Sequence, residues 1–95
     1  MVIRIAEFER APEFHTDPAR LDAFRRWISS QPGYRHGWHA ADTATGRVVS
    51  VSVWDDMDSV TAMRARPYPG GSLGAKPDRI AFYDHVEAIE PERAP

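Results

Sequence analysis

The most regular alternation of hydrophobic and polar positions along the chain lies in residues 47–54. Because successive side chains of a strand point to opposite faces, a period of two indicates an extended segment. This segment is therefore predicted to be a strand with two distinct faces. One face carries Val49, Val51 and Val53, and the other carries Val48, Ser50, Ser52 and Trp54.

Three further segments have the composition of strands. Residues 2–9 are rich in β-branched and aromatic side chains and contain neither glycine nor proline, residues 34–41 supply aromatic strand formers, and residues 79–89 return to the same character. Between the second and third strands, residues 42–46 are typical of a turn, in which Gly46 is expected to be left-handed. The chain is therefore predicted to contain four strands.

A first helix is predicted between the first two strands. Asp17 suits the N-cap position, and Pro18 suits the first helical position because its missing N–H costs nothing there. The helix is expected to run to about residue 31, where Pro32-Gly33 stops it. Its apolar stripe, which must face a sheet, is formed by Leu21, Phe24, Trp27 and Ile28.

A second helix is predicted to begin at the acidic residues Asp55, Asp56 and Asp58, which we interpret as caps and not as a metal site. It carries the apolar Val60 and Met63 and ends before Pro67. Residues 66–78 hold three prolines and three glycines, a composition typical of a loop. A plain connection and a lid over a site are both compatible with its length.

The order β-α-β-β-α-β indicates an α+β fold of the ferredoxin-like kind, with a four-stranded antiparallel sheet and both helices on one face. At 95 residues the chain is expected to form one domain, 1–95. Both faces of the first strand are apolar, since Ile3 and Ile5 oppose Val2, Ala6 and Phe8.

The face without helices needs a cover, so a homodimer of packed sheets is predicted. Arg4 and Glu7 interrupt the two apolar faces and need a partner or an edge position.

Composition and charge exclude several classes of function. A formal charge of −2 and a pI near 6.0 leave no excess of basic residues for a phosphate backbone, so no nucleic acid partner is expected. No apolar run approaches the roughly 20 residues that cross a bilayer, and the start of the chain lacks a secretory pattern, so a cytoplasmic protein without a membrane partner is predicted. The absence of cysteine removes disulfides, thiolate nucleophiles and Cys-ligated metals.

Pro32-Gly33-Tyr34, the hairpin after it and the strand end Trp54-Asp55-Asp56 form a pattern similar to the Pro-Gly-aromatic and Trp-Glu-Ser motifs of one family. Over nearly its whole length the chain resembles the antibiotic biosynthesis monooxygenases, which implies a dimeric α/β barrel. Members of the quinone-forming branch oxidise polyphenolic substrates with oxygen and without metal or flavin, so the resemblance implies no cofactor. Other members degrade haem.

The resemblance carries over only in part to individual residues. Trp54 takes the position of the family's strand tryptophan, whereas Ser50 and Val60 stand where the quinone-forming branch has Asn and Tyr. Trp54 and Ser50 are therefore the catalytic candidates: Trp54 would stack on a planar substrate, and Ser50 and Ser52 would orient its oxygens. The alternative is that Trp54 simply packs in the core. The haem-degrading branch would need Asn, Trp and His at Phe8, Met63 and Leu73, and none matches.

The remaining candidates for substrate binding are Phe8, Trp38 and Met63, which would line an apolar cavity, and two histidines. His85, beside Asp84, is a candidate base if it faces the pocket, although a surface position is the more usual one. His36 and His39 are three residues apart on a strand and so point to opposite faces, which argues against a shared metal.

The register of the hairpin stays open. A four-residue turn closed by Asp42 and Arg47 places His39 opposite Ser50, whereas a turn closed by Thr43 and Arg47 places Ala40 there and exchanges His39 for Trp38. Two functional hypotheses result. The chain is either a cofactor-independent monooxygenase-like protein acting on an aromatic or polyphenolic small molecule, or a non-catalytic dimeric module that binds a small ligand or a partner.

Overall fold

The computed structural model describes residues 1–12, 16–66 and 76–92, and its elements follow the predicted order. Four antiparallel strands form one sheet in the order β2-β3-β1-β4, which confirms the ferredoxin-like α+β fold. Neither helix combines the length and apolarity that crossing a bilayer requires within these described ranges. The elements are β1 (Val2–Phe8), α1 (Pro18–Ser29), β2 (Tyr34–Ala41), β3 (Val48–Trp54), α2 (Met57–Ala65) and β4 (Arg79–Tyr83).

Side-chain caps begin both helices. Asp17 accepts hydrogen bonds from two backbone N–H groups of the first turn of α1, and Pro18 takes the first helical position. Asp56 caps α2 by accepting from the backbone N–H and the hydroxyl of Ser59, both at 2.8 Å. These bonds satisfy donors that a helix leaves unpaired at its start. Both helices therefore begin where the sequence indicated.

The β2–β3 turn fixes the hairpin register that the sequence left open. The backbone N–H of Asp42 donates to the Arg47 carbonyl at 2.8 Å, and Gly46, with a φ of 78°, donates to the Asp42 carbonyl at 2.8 Å. The turn is thus the four-residue one, and His39 lies opposite Ser50. His39, and not Trp38, therefore belongs to the face that carries Ser50.

Pairing between the strands shows which side chains lie on each of the two faces of the sheet, which we call the helix face and the open face. Side chains directly opposite each other in an antiparallel pair share one face. The helix face carries Val2, Arg4, Ala6, Phe8, His39, Ser50, Ser52 and Trp54. The open face carries Ile3, Ile5, Trp38, Val49, Val51, Val53 and Tyr83.

Two clusters of buried side chains lie on the helix face. The Trp54 cluster consists of Val2, Trp54, Val60 and Met63, with Trp27, Ile28 and Tyr34 packed against it. The Phe8 cluster consists of Ala6, Phe8 and Val48, with Ala11 and Ile80 packed against it. Within the described residues, both core clusters therefore lie on the side of the sheet that the helices cover, as the amphipathic patterns predicted.

The open face has little cover within the described residues. Trp38 and Tyr83 are 54% and 52% exposed, and the aliphatic side chains of the central strands between them are mostly half-buried. Glu7, which interrupts this face, lies 3.8 Å from Arg79 in an ion pair at the edge of the sheet. Exposed apolar faces of this kind are typical of interaction surfaces in proteins.

The last strand is shorter than predicted. Residues 79–89 had strand composition, but β4 ends at Tyr83, and residues 84–92 form no regular element. The physical reason is the partner strand: Tyr83 pairs with Ile3, and β1 begins only one residue earlier, at Val2. A strand at the edge of a sheet extends only as far as its neighbour supplies hydrogen bonds.

Candidate functional site

A cavity of about 380 Å³ lies between α1 and the hairpin formed by β2 and β3. Its volume falls within the range of small-molecule sites, roughly 300–1,000 Å³. Apolar and polar side chains both line it: the lining combines aromatic and aliphatic groups with hydroxyls, an imidazole and a guanidinium. Helix α1 contributes Phe24, Arg25, Ile28 and Ser29, and the hairpin contributes Tyr34, Gly37, Trp38, His39, Ser50, Val51 and Ser52.

His39 is the titratable group in the wall of this cavity that the hairpin register places opposite Ser50. Its ring lies against Phe24, with centroids 5.7 Å apart, and its Nδ1 atom is buried. Burial lowers the pKa of His39 below the usual histidine value, and the positive charge of Arg25 lowers this pKa further. The imidazole is therefore neutral at physiological pH and able to accept a proton.

Two effects lower the pKa of His39, and the smaller of them is the positive charge of Arg25. We therefore expect Arg25→Gln, which removes this charge, to raise the pKa of His39. The pKa should remain below the usual histidine value, since burial is the larger cause. Following the Cε1–H resonance of His39 by NMR as a function of pH measures this directly.

Arg26→Gln is the matched control, because Arg26 is exposed on the same helix and forms an ion pair with Asp22 at 2.7 Å. An unchanged His39 pKa in Arg25→Gln, or an equal rise in both variants, would contradict the assignment.

Tyr34 and Gly37 shape the floor of the cavity. A Cβ atom on Gly37 would lie only 2.5 Å from the Tyr34 hydroxyl oxygen. The absence of a side chain at Gly37 therefore makes room for the tyrosine side chain, which extends along β2. The same ring meets Trp54 edge-on at 5.5 Å between centroids. The phenolic hydroxyl thereby lies against Gly37, which is paired with Ser52 on the neighbouring strand. This group both donates and accepts hydrogen bonds.

Trp54 belongs to the core and does not line the cavity. Its side chain is fully buried in the Trp54 cluster, and its Nε1–H donates to the Ser52 hydroxyl oxygen at 2.9 Å. Stacking on a substrate would require this packing to open, so the structure favours the core alternative for Trp54. Ser52, which does line the cavity, keeps its own hydroxyl hydrogen to donate.

The structure brings some of the predicted site residues together and separates others. Ser50, Ser52 and His39 meet in the cavity wall, and Trp38 borders it with its ring edge-on to His36 at 4.5 Å on the open face. Phe8 and Met63 do not line it, because they fill the two core clusters. His85 follows β4, is exposed and lies 3.1 Å from Glu87, away from the cavity.

Arg25 and Tyr34 are lining residues that the sequence alone did not single out. As predicted, His36 and His39 occupy opposite faces. Residues 1–12, 16–66 and 76–92 contain no group of three potential metal ligands.

Comparison with known proteins supports the fold but does not determine the activity. No family model and no curated protein matches the chain. Several solved structures resemble it over almost their full length, including the following three. A proposed antibiotic biosynthesis monooxygenase from Deinococcus radiodurans has a TM-score of 0.71 at 18% identity, covering 98% of this chain and 100% of the other.

SnoaB, a cofactor-independent oxygenase from Streptomyces nogalater, has a TM-score of 0.68 at 20% identity, with 95% and 97% of the two chains covered. The haem-degrading protein Rv3592 from Mycobacterium tuberculosis has a TM-score of 0.63 at 15% identity, with 94% and 98% covered.

These likenesses confirm that the chain has the fold of the antibiotic biosynthesis monooxygenases. The same fold carries an oxygenase and a haem-degrading protein, so the fold alone does not select between their activities. At two of the positions that haem degradation would need, this chain has the core residues Phe8 and Met63. The third, Leu73, lies outside the described residues. The activity therefore has to be inferred from the residues that line the cavity.

Proposed function

We propose that this protein is a cofactor-independent monooxygenase-like enzyme that acts on an aromatic, polyphenolic small molecule. One observation carries the proposal: a neutral imidazole, His39, stands in the wall of a cavity of about 380 Å³, opposite the Ser50 hydroxyl. A second support is the fold, which the chain has in common with a cofactor-independent oxygenase. Oxygenation without a cofactor requires a site that binds the substrate and removes a proton.

In the proposed reaction, His39 accepts a proton from an acidic C–H or phenolic O–H of the bound substrate. The resulting anion is the reductant, and it transfers electrons to molecular oxygen. One oxygen atom enters the product and the other leaves as water, so that an anthrone CH₂ and one O₂ give a quinone C=O and one H₂O. The hydroxyls of Ser50 and Tyr34 would hold the substrate oxygen as its negative charge develops, and Arg25 adds a cation at the rim.

Oxygen uptake tests the proposal. The purified protein is given a panel of anthrones and hydroquinones in an oxygen electrode, and the product is identified by mass spectrometry in ¹⁸O₂. With an anthrone we expect one O₂ consumed and one ¹⁸O atom incorporated per quinone formed, at a saturable rate above autoxidation. Uptake no faster than autoxidation for every member of the panel would refute the activity.

A non-catalytic binding module is the second candidate, and a specific observation favours it. Of the three positions that the quinone-forming branch uses, this chain retains only the tryptophan, and Trp54 is buried in the core and does not line the cavity. Saturable binding of the same aromatic molecules without oxygen uptake would support this alternative. The two candidates share the cavity and differ only in whether His39 removes a proton.

The protein is further proposed to act as a homodimer that packs its two open faces together. Ile5 lies at the centre of that face, paired with Val51 and Ala81. We expect the wild-type protein to sediment at twice the mass of the 10.7 kDa chain, and Ile5→Glu to sediment as the monomer, because a buried carboxylate pair is costly.

Ala23→Glu adds the same charge at an exposed position of α1 and should remain dimeric. A wild-type monomer at micromolar concentration would contradict the dimer.

A further inference from the structure

Arg4 is a charged residue on the helix face of β1. Its direct neighbours across the sheet are Ser52 on one side and Phe82 on the other. The side chain is half-buried, its Nε atom is buried without a hydrogen-bond partner, and no side-chain hydrogen bond or ion pair joins the Arg4 guanidinium to a residue of the described ranges. Glu7, the other charged residue that interrupts β1, has its pairing with Arg79. Arg4 therefore still needs a partner.

The charge that acts on the pKa of Arg4 has the same sign as Arg4 itself. Burial lowers the pKa of the Arg4 guanidinium, and the positive charge of Arg64, in the last turn of α2, lowers this pKa further. Arg64 has no ion pair with any described residue either. The guanidinium of Arg4 thus lies within the electrostatic reach of the exposed Arg64, and no ion pair with a carboxylate from the part of the chain that the structure describes compensates either charge.

Such an arrangement is unfavourable for the empty protein. An arginine stays protonated in proteins, so it cannot lower the cost of burial by losing its proton. A half-buried guanidinium with an unpartnered Nε atom, in the field of a second cation, therefore costs free energy that an anion would offset. A planar carboxylate suits the need, because the guanidinium fork binds it through two parallel hydrogen bonds.

The position of Arg4 indicates which molecule supplies that anion. It lies on the helix face, so a second copy of the chain packed on the open face does not reach it. Ser52, directly opposite Arg4, lines the cavity described above, and Phe82 on its other side presents an aromatic ring that is 36% exposed. An aromatic ligand in the cavity would therefore direct a substituent along the sheet toward Arg4.

We propose that Arg4 and Arg64 form an anion-binding subsite beside the cavity, and that it takes the carboxylate of an aromatic acid. The inference goes beyond the proposed oxygenase activity, because it concerns the charge of the ligand and applies equally to a ligand that is bound without being oxidised.

A matched pair of probes tests the subsite by calorimetric titration of the full chain. Anthraquinone-2-carboxylate and anthraquinone-2-carboxamide have the same ring system and differ in charge, and neither needs to react. We expect the wild-type protein to bind the acid at least about tenfold more tightly than the amide. Arg4→Gln should remove this preference, and Arg64→Gln should reduce it. Arg79→Gln, which alters an arginine of the open face, should keep it.

Thermal unfolding supplies a second readout that a structural role for Arg4 would not produce. Without a probe, Arg4→Met should melt at a higher temperature than the wild type, because an uncompensated cation has been removed. Added anthraquinone-2-carboxylate should raise the melting temperature of the wild type but not of Arg4→Met. Equal affinities of the wild type for acid and amide, or an acid preference that survives in Arg4→Gln, would overturn the subsite.

The outcome of this test is independent of the proposed activity. Acid preference without oxygen uptake refutes only the oxygenase, and oxygen uptake without acid preference refutes only the subsite.

Discussion

Replacing Trp54 with alanine should lower the free energy of unfolding by about 3–5 kcal/mol, the usual cost of removing a buried aromatic side chain. Trp54 has no exposed surface and packs against Val2, Val60 and Met63, so its loss leaves a cavity between β1, β3 and α2. Small domains are stable by only about 5–15 kcal/mol, so this is a large fraction of the total. Urea denaturation followed by far-UV circular dichroism measures the change.

Trp54→Phe is the matched control. It keeps an aromatic ring in the core but removes the Nε1–H that donates to Ser52, so we expect a loss of about 1–2 kcal/mol. Ligand binding should survive in this variant, because the ring does not line the cavity. The core assignment fails if Trp54→Ala unfolds at nearly the wild-type urea concentration while binding of aromatic ligands is abolished.

The sequence predicted the fold well because the decisive signals are local. Alternating valines indicated β3, and Asp17-Pro18 indicated the start of α1. Both of these signals depend only on residues that are neighbours in the chain. The end of β4 was predicted wrongly for the opposite reason. The composition of residues 79–89 suits a strand, but its length is set by β1, a partner distant in the chain.

The candidate site was harder to predict, because it depends on how α1 lies on the hairpin. His39 was a candidate only for one of two registers, and the hydrogen bonds of Asp42 within the turn decide between them. Arg25 lies on the side of α1 that an amphipathic pattern assigns to solvent, yet it borders the cavity and acts on the pKa of His39. No spacing in the sequence connects these two residues.

Arg4 shows which kind of sequence signal deserves weight. A single arginine on the apolar helix face of a central strand contradicts the pattern around it, and the structure supplies no partner among the described residues. Local rules are most often broken where a chain has a function to perform. The residue that the pattern failed to explain therefore became the strongest indication of ligand charge.

Replacing His39 with glutamine should lower kcat/KM for oxygen uptake by about 10²–10⁴-fold, the contribution of a positioned general base. Glutamine keeps a polar side chain of similar reach but does not take up a proton at these pH values. The acidic limb of the wild-type pH profile should lie below the usual histidine pKa, because burial and Arg25 both lower the pKa of His39. Activity is then retained as pH falls, until His39 becomes protonated.

His36→Gln provides the control for this prediction, since it makes the same change on the same strand but on the opposite face of the sheet. Its kcat/KM should match the wild type. Arg25→Gln should move the acidic limb to higher pH, in step with the pKa measured by NMR, which ties the limb to His39 and not to the substrate. Wild-type oxygen uptake in His39→Gln would show that the base lies elsewhere and would refute the role of His39, while leaving the oxygenase activity itself in place.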